Sequence, residues 1–370
     1  MNVQVKKWAE VLHIISGKNQ RTVSDPAGQY PIYGSGGIMG RANDFLCEAR
    51  STIVGRKGTI NRPIFVNERF WNVDTAFGVF PGETLHPKFL FYFCQSFNFK
   101  ALDKSTTIPS LAKRDLLNIE MPVPPLPDQE RIVARIEELF SQLDAGVAEL
   151  KTAKERLKVY RQAVLKEAFS KFDGSIEKTI SSVCENIVDC PHSTPKWVQK
   201  GKLCLRTTNF KPGYLNLSEK NYVSEETFCE RISRLAPKPG DVLFSREGAI
   251  LGIACIIPDG LEVCMGQRMM LLRPSEDLLN KYLMYYLNSP KARTLIIENV
   301  GGTASPHINV GDIKNFTIPI IPFAQQQSVV AEIESRLSVC DNIEKTVGTA
   351  LQQAEALRQS ILKIAFEGGL

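Results

Sequence analysis

Two stretches of the chain place apolar residues at the three- and four-residue spacing of a helix that buries a narrow stripe. The first runs through Ile132, Ile136, Leu139, Leu143, Val147, Leu150, Leu157, Val164 and Ala168. The second runs through Val329, Ile333, Leu337, Cys340, Ile343, Val347, Ala350, Ala354, Leu357, Ile361 and Ile364. Stripes this narrow predict a coiled-coil seam rather than the wide face of a globular helix. The proline-rich lead-ins MPVPPLPDQ and IPIIPFAQQ end the preceding strands and set up the helix starts, with Asp128 expected as the N-cap of the first. Glycine stops are expected near Gly174 and near Gly368 and Gly369. About 40 residues at 1.5 Å each predict rods of roughly 60 Å.

The two helical stretches are copies of one another. Thr106 to Phe169 aligns with Thr303 to Phe366 at a constant offset of 197 residues and without a gap. Pro109 matches Pro306, Asp115 matches Asp312, Gln129 matches Gln326, Asp144 matches Asp341, and both copies close on RQxxLKxAF, at Arg161 and Arg358. The chain therefore reads as a tandem duplication. The segments ahead of the helices, about 1–122 and 175–319, differ more, yet both hold short β-like runs such as STIVG, FGVF, DVLF and IACII. GRKGTI at Gly55 echoes SREGAI at Ser245, and HPKFLFYFCQS echoes LNKYLMYYLNS, so the two segments are expected to share a fold. The order domain, rod, domain, rod, with antiparallel rods, predicts two modules related by an approximate two-fold, which matches a DNA target read in two separated halves.

Composition narrows the function classes. The chain of 370 residues is 43% apolar with a net charge of +5, ordinary for a protein of two or three domains and compatible with nucleic acid without requiring it. No apolar run is long enough to span a membrane, and nine scattered cysteines without a CxxC pair predict a reduced, cytoplasmic protein. Cys184, Cys190 and His192 lack the paired spacing of a zinc site. The cluster Gly34-Ser35-Gly36-Gly37-Ile38-Met39-Gly40 matches neither a dinucleotide fingerprint nor a phosphate-binding GK[ST] loop, and is read as a loop able to approach a phosphate backbone. The four histidines form no nucleophile or metal arrangement, and no DPPY-like tract for holding a flipped base is present. No catalytic centre is expected in this chain.

Candidate binding residues follow from the echoed loops. Arg56 and Lys57, and Arg246 in the matching loop, sit beside glycines after apolar strands, where a guanidinium reaches a guanine edge or a phosphate. Gln267 and Arg268 in one half, and Asp74 and Thr75 in the other, occupy the next strand-like run with base-reading chemistry. Tyr30, Phe45, Trp71, Trp197, Phe210 and Tyr214 lie among polar residues, but core packing is the expected role for most.

These features together resemble the specificity subunit of type I restriction-modification systems. The resemblance rests on the paired helices ending in LKxAF, the (V/I)PxPPLPxQ-type lead-in, GDVLFSREG at Gly240 to Gly248 and GSGGIMG at Gly34 to Gly40, and it covers essentially the whole chain. It implies an α+β fold: two tandem mixed, mainly β target recognition domains, residues 1–126 and 174–323, joined by two long antiparallel coiled-coil helices, residues 127–173 and 324–370. Each domain would read one half of a bipartite double-stranded DNA sequence, with the helices setting the spacer. Two methyltransferase subunits would bind S-adenosylmethionine and methylate adenine, and restriction subunits would add ATP- and magnesium-dependent translocation. Carried over by position, DNA contacts are expected at Ser35, Gly36, Arg56, Lys57, Arg206, Thr207, Arg246, Gln267 and Arg268. GRKG stands in the first domain where the second has SREG, so the two loops need not contact DNA identically. The alternatives are a coiled-coil scaffold and a stand-alone DNA-modifying enzyme.

Overall fold

The proline lead-ins and the apolar seam produce the two longest elements, helices over Leu126–Ser170 and Phe323–Phe366. The computed structural model describes residues 3–302 and 306–369, so Thr303, where the second copy of the repeat begins, lies outside the described residues. Asp128 is not the cap that the sequence predicts. The first helix already starts at Leu126, because Pro127 needs no N–H partner in the first turn, and Asp128 instead supplies a first-turn carboxylate facing the helix dipole. Both helices end ahead of a glycine in the left-handed region, Gly174 and Gly368.

The chain gathers into two compact units, Met1–Lys151 with Gly348–Leu370, and Thr152–Val347. Each unit thus owns one globular module, one half of the first helix and one half of the second.

In the first unit a four-stranded antiparallel sheet runs in the order Leu12–Ser16, Ala76–Pro81, Ser51–Gly55, Ile64–Val66. STIVG is buried at every position because its strand lies inside the sheet with both faces covered, which is why the run does not alternate. A three-stranded sheet holds the hairpin Tyr30–Gly34 and Gly37–Ala42, with Trp71–Asn72 added in parallel to Tyr30–Gly34. The N-terminal strand Gln4–Lys7 pairs with Glu120–Val123, directly ahead of the long helix, and closes the module.

The second unit repeats the plan. Its sheet runs Cys184–Asp189, Met269–Pro274, Val242–Ser245, Ala254–Ile256, a second sheet again adds a parallel strand, Cys264–Met265 on Lys202–Leu205, and Glu177–Thr179 pairs with Thr317–Pro319 to close it.

Within each unit the helix halves lie antiparallel. In the second, Arg161 reaches Asp341 and Glu344, Arg336 reaches Glu167, and Lys171 reaches Glu332, so partner numbers fall as the first helix advances. In the first, Arg358 pairs with Asp144 and lies over the ring of Phe140. Buried and half-buried positions recur at a strict alternation of four and three, Ile136, Phe140, Leu143, Val147, Leu150, Lys154, Leu157, Arg161, Val164 and Ala168, and at the same positions 197 residues on. This corrects the predicted seam: Ile343, Leu357 and Ile364 face solvent, and Glu344, Arg358 and Ala365 take their places. A rule that counts only apolar residues passes over an arginine that buries its stem and pairs its head.

The repeated residues have matching jobs. Fully buried Gln129 accepts from the N–H of His86 and donates to the carbonyls of Thr84 and Pro124, and Gln326 does the same with Leu279, Asp277 and Ile321. Each pins a helix start to the short helix of its module, Pro87–Ser96 or Asn280–Leu287. The LKxAF ends dock crosswise: Phe366 packs edge-on against Phe89 and Phe93, and Phe169 against Tyr282 and Tyr286. Each module therefore holds the start of one long helix and the end of the other. Among the described residues no helix is long and apolar enough to cross a membrane.

Candidate nucleic-acid interface

The loop that follows the inner strand of each sheet has the same backbone frame in both units. Arg56 donates its N–H to the carbonyl of Thr75 at 2.8 Å and Arg246 donates to that of Arg268 at 3.0 Å. Gly58 and Gly248 donate to the carbonyls of Pro109 and Pro306, both at 2.9 Å, and have φ of 81° and 87°, a conformation that disfavours any side chain there. Leu111 and Ile308 donate back to the carbonyls of Arg56 and Arg246. The repeated prolines thus brace the echoed loops.

In the first unit the loops converge. A Cβ on Gly58 would lie 3.7 Å from the hydroxyl of Ser35, and one on Gly34 would lie 3.5 Å from that of Thr75, so the hairpin tip bearing Ser35 and Gly36 meets the Arg56–Lys57 loop and the Asp74–Thr75 turn. Lys57 and Asp74 are exposed. Arg56 is half-buried: its guanidinium donates to the Asp74 carbonyl at 3.3 Å, lies 5.9 Å from the Phe77 ring, and opens onto a cleft of about 520 Å³ shared with Ser16, Ser105, Ser110, Lys113 and the ion-paired Lys104 and Asp115.

In the second unit Arg206, Thr207, Gln267 and Arg268 line one cleft of about 320 Å³, together with Thr194, Trp197 and Gly248. Arg206 is exposed with its guanidinium 5.7 Å over the Trp197 ring. The short turn carrying Thr207 is fixed by buried Asn209, which accepts from the Arg206 N–H and donates to the carbonyls of Asn216 and Glu219. Gln267 donates to the His192 carbonyl at 2.6 Å. Arg268 is exposed at φ 68°, one of two non-glycine residues with positive φ among those described.

Arg246 departs from its expected role as a free DNA contact. It is 7% exposed, and its Nε and Nη2 donate to the two carboxylate oxygens of Asp189 at 2.8 and 2.9 Å. Burial pulls its pKa down, and the bonds and charge of Asp189 more than reverse that, so the pair is a fixed charged strut. Sheet register explains why Arg56 differs. Asp189 stands opposite Met270, which lies opposite Phe244, whereas Ser16 stands opposite Phe77, which lies opposite Val54. The first unit therefore has a serine where the second has the neutralising carboxylate.

The sequence reading missed Asp189, which lies 57 residues from its partner, and Arg231, a buried guanidinium that donates to the carbonyls of Ser193, Met265 and Gly266 and so braces both walls of the second cleft. Of the aromatics, Trp71 and Phe210 are core residues, and Tyr30 packs against Phe45 with ring centroids 5.1 Å apart. Trp197 and Tyr214 are exposed.

Two modules of one fold, each presenting a polar face built from loops and each clamping two helix halves, define a protein of duplicated recognition modules. Residues 1–154 and 190–353 match the family described as the type I restriction modification DNA specificity domain, and the chain belongs to that family. It is 25% identical over 354 residues to the type I restriction enzyme EcoBI specificity subunit of Escherichia coli, covering 86% of this chain and 73% of that protein. It is 28% identical over 277 residues to the EcoKI specificity subunit of Escherichia coli strain K12, covering 70% of this chain and 59% of that protein, less than two thirds of its length. Among solved structures it shares its fold with a chain from a study of type I R-M system assembly, at a TM-score of 0.75 and 20% identity over 100% of this chain and 98% of that one. The HsdS subunit from Thermoanaerobacter tengcongensis gives a TM-score of 0.55 at 20% identity, covering 100% and 97%.

Proposed function

We propose that the chain is the DNA-reading subunit of a cytoplasmic type I restriction-modification complex and that it carries no catalysis of its own. Each module reads one half of a bipartite duplex target, through Ser35, Gly36, Arg56 and Lys57 in the first and Arg206, Thr207, Gln267 and Arg268 in the second. Arg246 acts from behind, by holding the loop. Two methyltransferase subunits supply S-adenosylmethionine and methylate adenine, and restriction subunits supply ATP- and magnesium-dependent steps. The observation that carries this reading is the pairing of a shared set of backbone hydrogen bonds with different side chains at its matching positions, Asp74 and Thr75 against Gln267 and Arg268, as two different half-sites require. The test is binding of duplex DNA by the chain assembled with its methyltransferase partner. The expected result is sequence-specific affinity that falls steeply with salt, and affinity indifferent to both sequence and salt would reject the proposal.

A further inference from the structure

Arg268 combines features that no other residue of the second face shares. It takes up the left-handed backbone conformation at φ 68°, which is strained for a non-glycine residue and persists where the surroundings enforce it. Its carbonyl is held by the Arg246 N–H, and Arg246 is itself locked on Asp189. Its guanidinium stands in the cleft beside Gly248, where an added Cβ would come within 3.2 Å of Nη1, and its Nε lies 3.7 Å from Glu247.

Glu247 decides between the two partners a guanidinium can take. A phosphate clamped by Arg268 would bring a full negative charge beside that carboxylate, whereas the guanine edge brings only the partial charges of O6 and N7, meets much weaker repulsion and benefits from an oriented fork. We infer that Arg268 is the specificity-determining residue that reads a guanine in the half-site of the second module. In the first module Thr75 takes the place of Arg268, and the unneutralised guanidinium is Arg56, one strand away. Each module thus offers a guanidinium from a different place on the same frame.

This inference rests on the proposed function, and one experiment separates the two. The full chain is co-expressed with its methyltransferase partner, the methylated target is mapped by single-molecule sequencing, and the same target duplex is used for binding as a function of salt. The Arg268→Gly variant removes the guanidinium while suiting the positive φ, and Arg268→Lys keeps the charge without the fork. Both are expected to lose at least about tenfold in discrimination at one G·C pair of one half-site and to leave the other half-site unchanged. Uniform weakening on all sequences, with the salt slope of Arg268→Gly reduced by about 1, would make Arg268 a phosphate clamp and overturn the inference, as would an unchanged target. If the unaltered complex shows no sequence preference, the proposed function falls with it. Melting of each variant alongside the parent confirms that the fold is kept.

Discussion

The loops at Gly55 to Gly58 and Ser245 to Gly248 share three backbone hydrogen bonds, their bracing prolines and their left-handed glycines, but not their charge balance. In the second loop the arginine is sealed against Asp189; in the first it has, among the described residues, no carboxylate of its own and stands over a cleft with Ser16, Lys113 and the Lys104–Asp115 ion pair. Duplication preserved the frame, which depends on main-chain hydrogen bonds and on a glycine kept at one position of each loop. It left free the side chains that frame displays. A recognition surface can therefore change its chemistry without changing its fold.

The sharpest way to break this comparison is to remove the carboxylate that separates the two loops. Asp189→Ala strands a buried guanidinium and is expected to lower unfolding stability by about 3–5 kcal/mol, whereas Ser16→Ala at the matching position should change it by less than about 0.5 kcal/mol; urea unfolding of both variants measures the difference. The reverse graft is milder. Ser16→Asp gives Arg56 a neutralising partner and should reduce affinity for target duplex roughly tenfold and flatten its salt dependence by about 1 in slope, read by binding titrations at several salt concentrations. Smallest of all are the matched seam pairs. Arg161 and Arg358 have side chains 27% exposed, and each ends on a carboxylate more exposed than itself. Arg161→Ala and Arg358→Ala should therefore each cost under about 1 kcal/mol, with the loss shrinking more at high salt for Arg161, which faces two carboxylates, than for Arg358, which also packs on the Phe140 ring.

The rods were legible because a helix period imposes itself on dozens of consecutive residues. The exposed Leu357 and the seam Arg358 show where that reading stops, since which neighbour faces the partner helix depends on the charge waiting there, and Asp144 lies 214 residues away in sequence. The recurrence of an arginine in both loops was also legible, and so was the matching of Asp74–Thr75 with Gln267–Arg268. The divergent environment of the two arginines was not, because it turns on one strand position, Ser16 or Asp189, that sheet pairing alone brings beside them. Arg231 offered no signal at all, as its three acceptors are main-chain carbonyls.

The central claim is that each module reads its own half of the target. It is tested most directly by replacing residues 1–122 with residues 175–319, co-expressing the chimera with the methyltransferase partner, and sequencing the methylated genome. The account predicts a target whose two halves have become the same, both matching the half-site that Arg268→Gly relaxes in the parent. Methylation that still includes the half-site lost with the first module would contradict it.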